Sequence, residues 1–219
     1  MSLTLYAHPF SSYCQKVLIA LYENATAFEF RTLPPDDSEM AAELRAMWPF
    51  GRIPVLVDDR RAVVESSIII EHLDLHHPGP VRMVPANDRA ALDVRMMDRF
   101  FDNYVSTPMQ KIVVDRIRTP ENRDHQGVAE ARKMLDTAYA WLNDVMAGRD
   151  WAAGESFSLG DCAAAPALFY ADWAHPIGEA FPNVRDYRRR LLARPSFARA
   201  VDEARPYRPN FPLGAPDRD

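Results

Sequence analysis

Only two cysteines occur in the 219 residues, Cys14 and Cys162. They stand far apart in stretches of different character, which excludes a disulfide framework, and both are read as reduced thiols. Positive charge is also scarce. The 26 basic side chains are outnumbered by 31 acidic ones, the net charge is −5, and no segment gathers a basic stripe. Nucleic acid is therefore excluded as an expected partner. No apolar run approaches the ~18 residues a membrane span requires, and the first ten residues lack the basic start of a secretory signal. The expectation is a cytoplasmic protein with no membrane partner. Internal repeats and low-complexity tracts are lacking too. Cysteine-bearing metal motifs are missing: His72 and His76 share a helical face, but two histidines without further spaced ligands make a poor site, and no metal is expected.

What the chain does have is 47% hydrophobic residues, enough for a sizeable core in one large or two small domains. Two is the expectation. Leu3 and Leu5 alternate with Thr4 and Tyr6 as a short strand that stops at His8-Pro9. Residues 14–23 place Val17, Leu18 and Leu21 on one helical face, and Phe28 and Phe30 then alternate with Glu29 and Arg31 as a second strand. Met40, Leu44 and Met47 suggest a connecting helix, residues 53–57 a third strand, 58–61 a turn, 62–64 a fourth strand, and Glu65-Ser66 the start of a further helix. The order is βαβ, a connecting helix, then ββα. It requires a mixed sheet with helices on its faces, which is the thioredoxin order. Pro78, Gly79, Pro80 and Pro85 punctuate the next stretch, and beyond them the pattern is helical. The expected organisation is an α/β thioredoxin-like domain over 1–80, a linker over 81–87, and an all-α domain over 88–219. Its first helix is expected to run from Asp88 to about Ile117, and its proline-rich tail from Pro206 to be extended.

Three segments carry candidate chemistry. Residues 9–17, Pro-Phe-Ser-Ser-Tyr-Cys-Gln-Lys-Val, join the first strand to the N-terminus of the first helix, where free N–H groups and the helix dipole favour an anion and a serine hydroxyl can donate to it. For a thiol ligand the consequence is large: at pKa ~8.5 about 3% is thiolate at neutral pH, and a fall of ~2 units, worth ~2.7 kcal/mol, makes it about three quarters thiolate. Ser11 or Ser12 serving only as a helix cap is the other reading. Residues 51–56, Gly-Arg-Ile-Pro-Val-Leu, place a proline at the head of a strand. It is either an ordinary edge proline or, if cis, a turn that holds the backbone of Ile53 outward to a peptide ligand. Residues 64–67, Val-Glu-Ser-Ser, place Ser66 where it could hold a carboxylate and Glu65 where it could take an ammonium, or else form a helix cap with a neighbouring acid.

Taken together, these segments resemble the glutathione transferase family over nearly the whole chain, in its cytosolic, serine-type, bacterial-like form. Ser11 lies where that family places a thiol-activating serine. Ile53-Pro54 matches the cis-proline turn that pairs with the cysteinyl backbone of glutathione, and Glu65-Ser66 matches the pair that holds its γ-glutamyl end. Residues 157–161, Phe-Ser-Leu-Gly-Asp, look like the family's capping box and hydrophobic staple, with Ser158 capping and Asp161 reaching back. Arg194-Pro195-Ser196-Phe197 is similar to a late-helix motif. Ser11-Ser12-Tyr13-Cys14 also resembles a glutaredoxin site whose first cysteine has become serine. It partly resembles the zeta class, the maleylacetoacetate isomerases, and the theta class.

The resemblance implies glutathione as co-substrate and a detoxifying transferase that attacks a small hydrophobic electrophile with the glutathione thiolate. Ser11 is the catalytic candidate, with Tyr6 and Ser12 as alternates. Arg52, Ile53, Pro54, Glu65 and Ser66 join Ser11 in binding glutathione, with Arg52 orienting the glycine carboxylate. Phe10, Tyr104, Pro108 and Ile112 are expected to line the second-substrate pocket, with Met109 and Trp173 as further candidates and Pro108 kinking its helix. Asp102 is placed to reach a partner subunit's glutathione, and a homodimer is implied. The alternatives are a glutathione-dependent isomerase of the maleylacetoacetate type and a non-catalytic scaffold binding glutathione or hydrophobic ligands. A thiol oxidoreductase would require Cys14 to be accessible.

Overall fold

The computed structural model describes residues 2–32 and 38–219. Strands β1 (Leu3–Ala7), β2 (Glu29–Thr32), β3 (Val55–Asp58) and β4 (Arg61–Val64) form one sheet in the order β2-β1-β3-β4. β1 pairs parallel with β2, with Leu5 opposite Phe30, and antiparallel with β3, with Leu5 opposite Leu56. The parallel pair forces a crossover, which α1 (Ser12–Glu23) supplies. α1 and α3 (Ser66–His76) bury Val17, Leu18, Leu21, Ile69, Ile70 and Leu73 against one face of the sheet. On the other face, α2 (Ser38–Met47) sets Leu44 beside Tyr6 and Val55 in a separate small cluster. This is the thioredoxin-like arrangement expected from the sequence.

The stretch after α3 is pinned rather than loose. Asp74 accepts from the backbone N–H of Met83 at 2.9 Å, and Asn24 both accepts from the N–H of Val81 at 2.8 Å and donates to its carbonyl at 3.0 Å. Six helices follow: α4 (Asp88–Phe100), α5 (Thr107–Arg116), α6 (His125–Val145), α7 (Leu159–Ala174), α8 (Pro182–Leu192) and α9 (Pro195–Ala204). Every residue of α7 is buried, as its alanine-rich sequence requires of a helix surrounded by others. The expected capping box starts it: the Asp161 carboxylate accepts from the Ser158 N–H at 2.9 Å, and also from the Ala152 N–H at 2.8 Å and the Tyr187 hydroxyl at 2.6 Å. The late-helix motif ties the two halves together, since Arg194 at the start of α9 forms a bidentate pair with Glu23 at the end of α1, at 2.7 and 2.6 Å. The main hydrophobic core runs unbroken from the sheet into the helices.

Two expectations are corrected. The helix expected over 88–117 is interrupted by a π-helical turn, Phe101–Ser106, between α4 and α5. Pro108 has no N–H to donate and its ring crowds the carbonyl four residues back, so the regular ladder cannot pass through this point. The wider turn absorbs the mismatch, and the Thr107 hydroxyl donates to the Asp102 carbonyl at 2.9 Å. The tail is also not extended from Pro206 as expected: Arg205–Asn210 forms a 3-10 turn that carries the chain to Phe211, which is buried against Trp173.

Candidate active site

A cleft of about 690 Å³ opens where the C-terminal end of β1 meets α1 and where cis Ile53-Pro54 leads into β3. Its walls include Ser11, Arg52, Ile53, Pro54, Glu65 and Ser66. These residues belong to three separate segments, brought together because the end of β1, the start of β3 and the β4–α3 junction lie on the same side of the sheet.

Ser11 is the N-cap of α1, and its hydroxyl oxygen accepts from the Cys14 N–H at 3.4 Å. Capping uses a lone pair and leaves the O–H proton free, so the same hydroxyl can cap the helix and donate to an anion in the cleft. Ser12 is the first residue of α1 and is not among the side chains lining the cleft. Across the cleft, Glu65 is the N-cap of α3 but makes no side-chain cap hydrogen bond, leaving the first N–H groups of that helix without it. Its backbone sits at φ 68°, ψ 119°, a conformation that costs a non-glycine residue about 1–3 kcal/mol and that recurs where side chains are aimed at ligands. Ser66, at the first helical position, is buried, while Glu65 and Arg52 are exposed. The β-sheet side of the cleft thus offers two helix N-termini, the Glu65 carboxylate and the Arg52 guanidinium.

Tyr6, the first alternate, is not brought to the cleft. Alternation along β1 turns it to the opposite face, where its hydroxyl donates to Glu43 at 2.6 Å and accepts from Arg31 at 3.0 Å. Burial, and then the Glu43 carboxylate, raise its pKa, the opposite of what an acidic thiol-activating hydroxyl needs. Cys14 is wholly buried on α1, and burial pushes its thiol up to about 11. The oxidoreductase reading required an accessible thiol and is overturned. At that pKa about 0.01% is thiolate at neutral pH, so in the native protein Cys14 is expected to alkylate at least about 100-fold more slowly than free cysteine; stopped alkylation quantified by mass spectrometry checks this.

The residues expected around a second substrate stand apart from the walls of this cleft. Phe10 packs edge-to-face on Tyr170 at 5.4 Å, Pro108 and Ile112 are buried in the helical core with Met109 and Trp173, and Tyr104 lies exposed beside Phe100. None of them lines the cleft. The helical wall is made instead by Arg99 near the end of α4, Asp102 and Asn103 in the π turn, and Gln110 on α5. Tyr13, Trp48 and Phe50 complete the walls. Burial, and then the Asp102 carboxylate, push the Tyr13 hydroxyl up to about 12, so it remains a proton donor at neutral pH. No periodic signal in the sequence marks this wall, since residues 99, 103 and 110 are interleaved with other polar side chains at 98, 102, 106, 107 and 111.

Behind that wall lies a buried ionic group. Lys16 on α1 meets Asp98 at 2.5 Å, Asp102 at 2.9 Å and the Ser67 hydroxyl of α3 at 2.9 Å. Arg99 caps it from the rim, 2.8 Å from Asp102. The Asp102 carboxylate is therefore engaged by cations of its own chain, not held free to reach another.

A thioredoxin-like sheet bearing a helix-terminus cleft, walled on one side by an all-helical unit, defines the two-part class of glutathione-dependent transferases. The chain belongs to the glutathione S-transferase family: residues 5–81 match its N-terminal domain and residues 126–190 its C-terminal domain. A glutathione S-transferase from Methylobacterium radiotolerans, solved in complex with glutathione sulfonate, is 31% identical, with a TM-score of 0.80 over 92% of this chain and 95% of its own. The stringent starvation protein A homolog of Haemophilus influenzae is 26% identical over 93% of this chain and 92% of its own. A probable maleylacetoacetate isomerase of Vibrio cholerae is 27% identical over 94% of this chain and 98% of its own.

Proposed function

We propose that the protein is a glutathione transferase that binds glutathione in the cleft and activates its thiol through Ser11. The observation carrying this reading is the convergence of Ser11, Arg52, Ile53, Pro54, Glu65 and Ser66 on one cavity. In it the thiol faces the Ser11 hydroxyl and the N-terminus of α1, the γ-glutamyl carboxylate faces Ser66 and the start of α3, the ammonium faces Glu65, and Arg52 orients the glycine carboxylate. The thiolate then attacks an electrophilic carbon, and the leaving group or the adjacent carbon takes the displaced electron pair. A cytoplasmic detoxifying role belongs to the same proposal. So does a homodimer, supported by Leu92, Met96 and Tyr104, which stand 65%, 48% and 50% exposed on one helical segment; sedimentation velocity reads the dimer directly.

A second reading has a specific observation in its favour. Arg99, Asn103 and Gln110 give the helical wall hydrogen-bond donors where an apolar surface was expected, and this suits a polar or carboxylate-bearing second substrate, as in isomerisation through a glutathione adduct.

Calorimetry with glutathione, followed by product analysis with an activated aryl halide and with a cis-enone carboxylate, separates the readings. Binding with turnover of the halide supports conjugation. Turnover of the enone alone supports isomerisation, and binding without turnover supports the scaffold. Because Glu65 is exposed, Glu65→Ala is expected to weaken glutathione about 10-fold, with little change in the urea midpoint. An unchanged affinity would remove Glu65 from the site.

A further inference from the structure

β3 and α3 each begin at the cleft and run away from it, so their far ends lie roughly 15 Å from it, the length of the eleven-residue helix. At that far end three side chains converge. Asp58 closes β3, His72 lies on α3, and His77 is the residue at which the chain leaves α3, with φ −133° and ψ 53°. The Asp58 Oδ2 atom is 2.9 Å from His72 Nε2 and 2.7 Å from His77 Nε2. One ligand atom from each residue falls within a sphere where all lie within 4.8 Å of one another, and among the described residues this is the one group of three metal-ligating side chains so placed.

We propose that Asp58, His72 and His77 form a binding site for a zinc-type divalent cation. Imidazole nitrogens and a carboxylate oxygen suit zinc, cobalt or nickel rather than magnesium or calcium. Zinc bonds these atoms at about 2.0–2.2 Å, which spaces neighbouring ligands about 3.3 Å apart in a tetrahedron. The trio therefore has to open by roughly half an ångström to admit the ion. The side chains are 10%, 17% and 15% exposed for His72, His77 and Asp58, sunk enough to be held and open enough for water to complete the shell. In the bound form each Nε2 gives its lone pair to the metal and the ring proton sits on Nδ1. The three ligands come from a strand end, a helix body and a helix terminus, so the scaffold fixes their spacing before any ion arrives.

The test is titration of tag-free, chelator-treated protein with Co²⁺, followed by its ligand-field absorption and displacement with Zn²⁺. The expected result is one Co²⁺ per chain with the intense absorption of a four- or five-coordinate site. His72→Ala and His77→Ala should each weaken binding at least about 10-fold. His175→Ala, which removes a separate histidine–aspartate pair at 2.7 Å, should leave it unchanged. Circular dichroism and glutathione binding establish that the variants fold. Absence of saturable binding, or saturable binding indifferent to both His72 and His77, would overturn the site and reduce the trio to a hydrogen-bonded clasp between the hairpin and α3.

Discussion

Lys16→Met should lower the unfolding free energy by about 3–5 kcal/mol, the largest loss expected of any single substitution considered for this chain. The ammonium is 1% exposed and the Asp98 and Asp102 side chains facing it are 3% and 12% exposed. Methionine keeps much of the volume and removes the charge, leaving two carboxylates close together with Arg99 at the rim as the cation that pairs with both. The penalty comes from stranding them in a poorly solvated place, more than from losing the attraction itself. For a chain of this length the loss corresponds to roughly 10 °C in melting temperature. The geometry adds a signature that general destabilisation lacks. Lys16 lies on α1, Ser67 on α3 and Asp98 on α4, so the group clamps the sheet domain to the helical wall of the cleft. Amide exchange should accelerate first across 98–110 and the start of α3. Chemical denaturation checks the magnitude, and a change below about 1 kcal/mol would show that Arg99 and water suffice to hold the two acids.

Ser11→Ala should reduce the rate of glutathione conjugation about 20-fold at neutral pH while changing glutathione affinity much less. A charge-assisted hydrogen bond to a thiolate is worth about 1.5–3 kcal/mol, and alanine leaves the dipole of α1 in place to supply a further ~0.3–1. The hydroxyl is lost from the charged form of the ligand alone, so the effect belongs in the thiol's ionisation rather than in the remaining contacts. Weaker capping of α1 adds about 1 kcal/mol of stability loss, measurable separately. Tyr13→Phe distinguishes the other hydroxyl in the cleft: a loss confined to Ser11→Ala assigns activation to the serine, whereas an equal loss in both variants would divide it.

Ser11, Ile53-Pro54 and Glu65-Ser66 were legible because each sits at a junction that local sequence sets by itself, where a strand ends and a helix or turn begins. The phase of the helical wall was not. The family resemblance points to Tyr104, Pro108 and Ile112, whereas the cleft is lined on this side by Arg99, Asp102, Asn103 and Gln110, with a π turn between α4 and α5. One inserted residue in a turn is a tertiary compromise that periodicity does not encode. Tyr6 shows the opposite lesson: the family resemblance offers it as a catalytic hydroxyl, yet alternation along β1 assigns it to the face away from Leu5. At the end of α3, helical spacing pairs His72 with His76, yet the chain departs from the helix at His77 and swings that ring to Asp58 instead.

The most direct test of the account follows the ultraviolet absorbance of the glutathione thiolate against pH, with glutathione bound to the wild-type protein and to Ser11→Ala. The account predicts a bound thiol that ionises about 2 units below its free value in the wild type and returns most of the way in Ser11→Ala, with glutathione still bound. The pH at which conjugation reaches half its plateau should move upward by the same amount. A bound thiol with an unshifted pKa in the wild type, or a shift that survives Ser11→Ala intact, would contradict it.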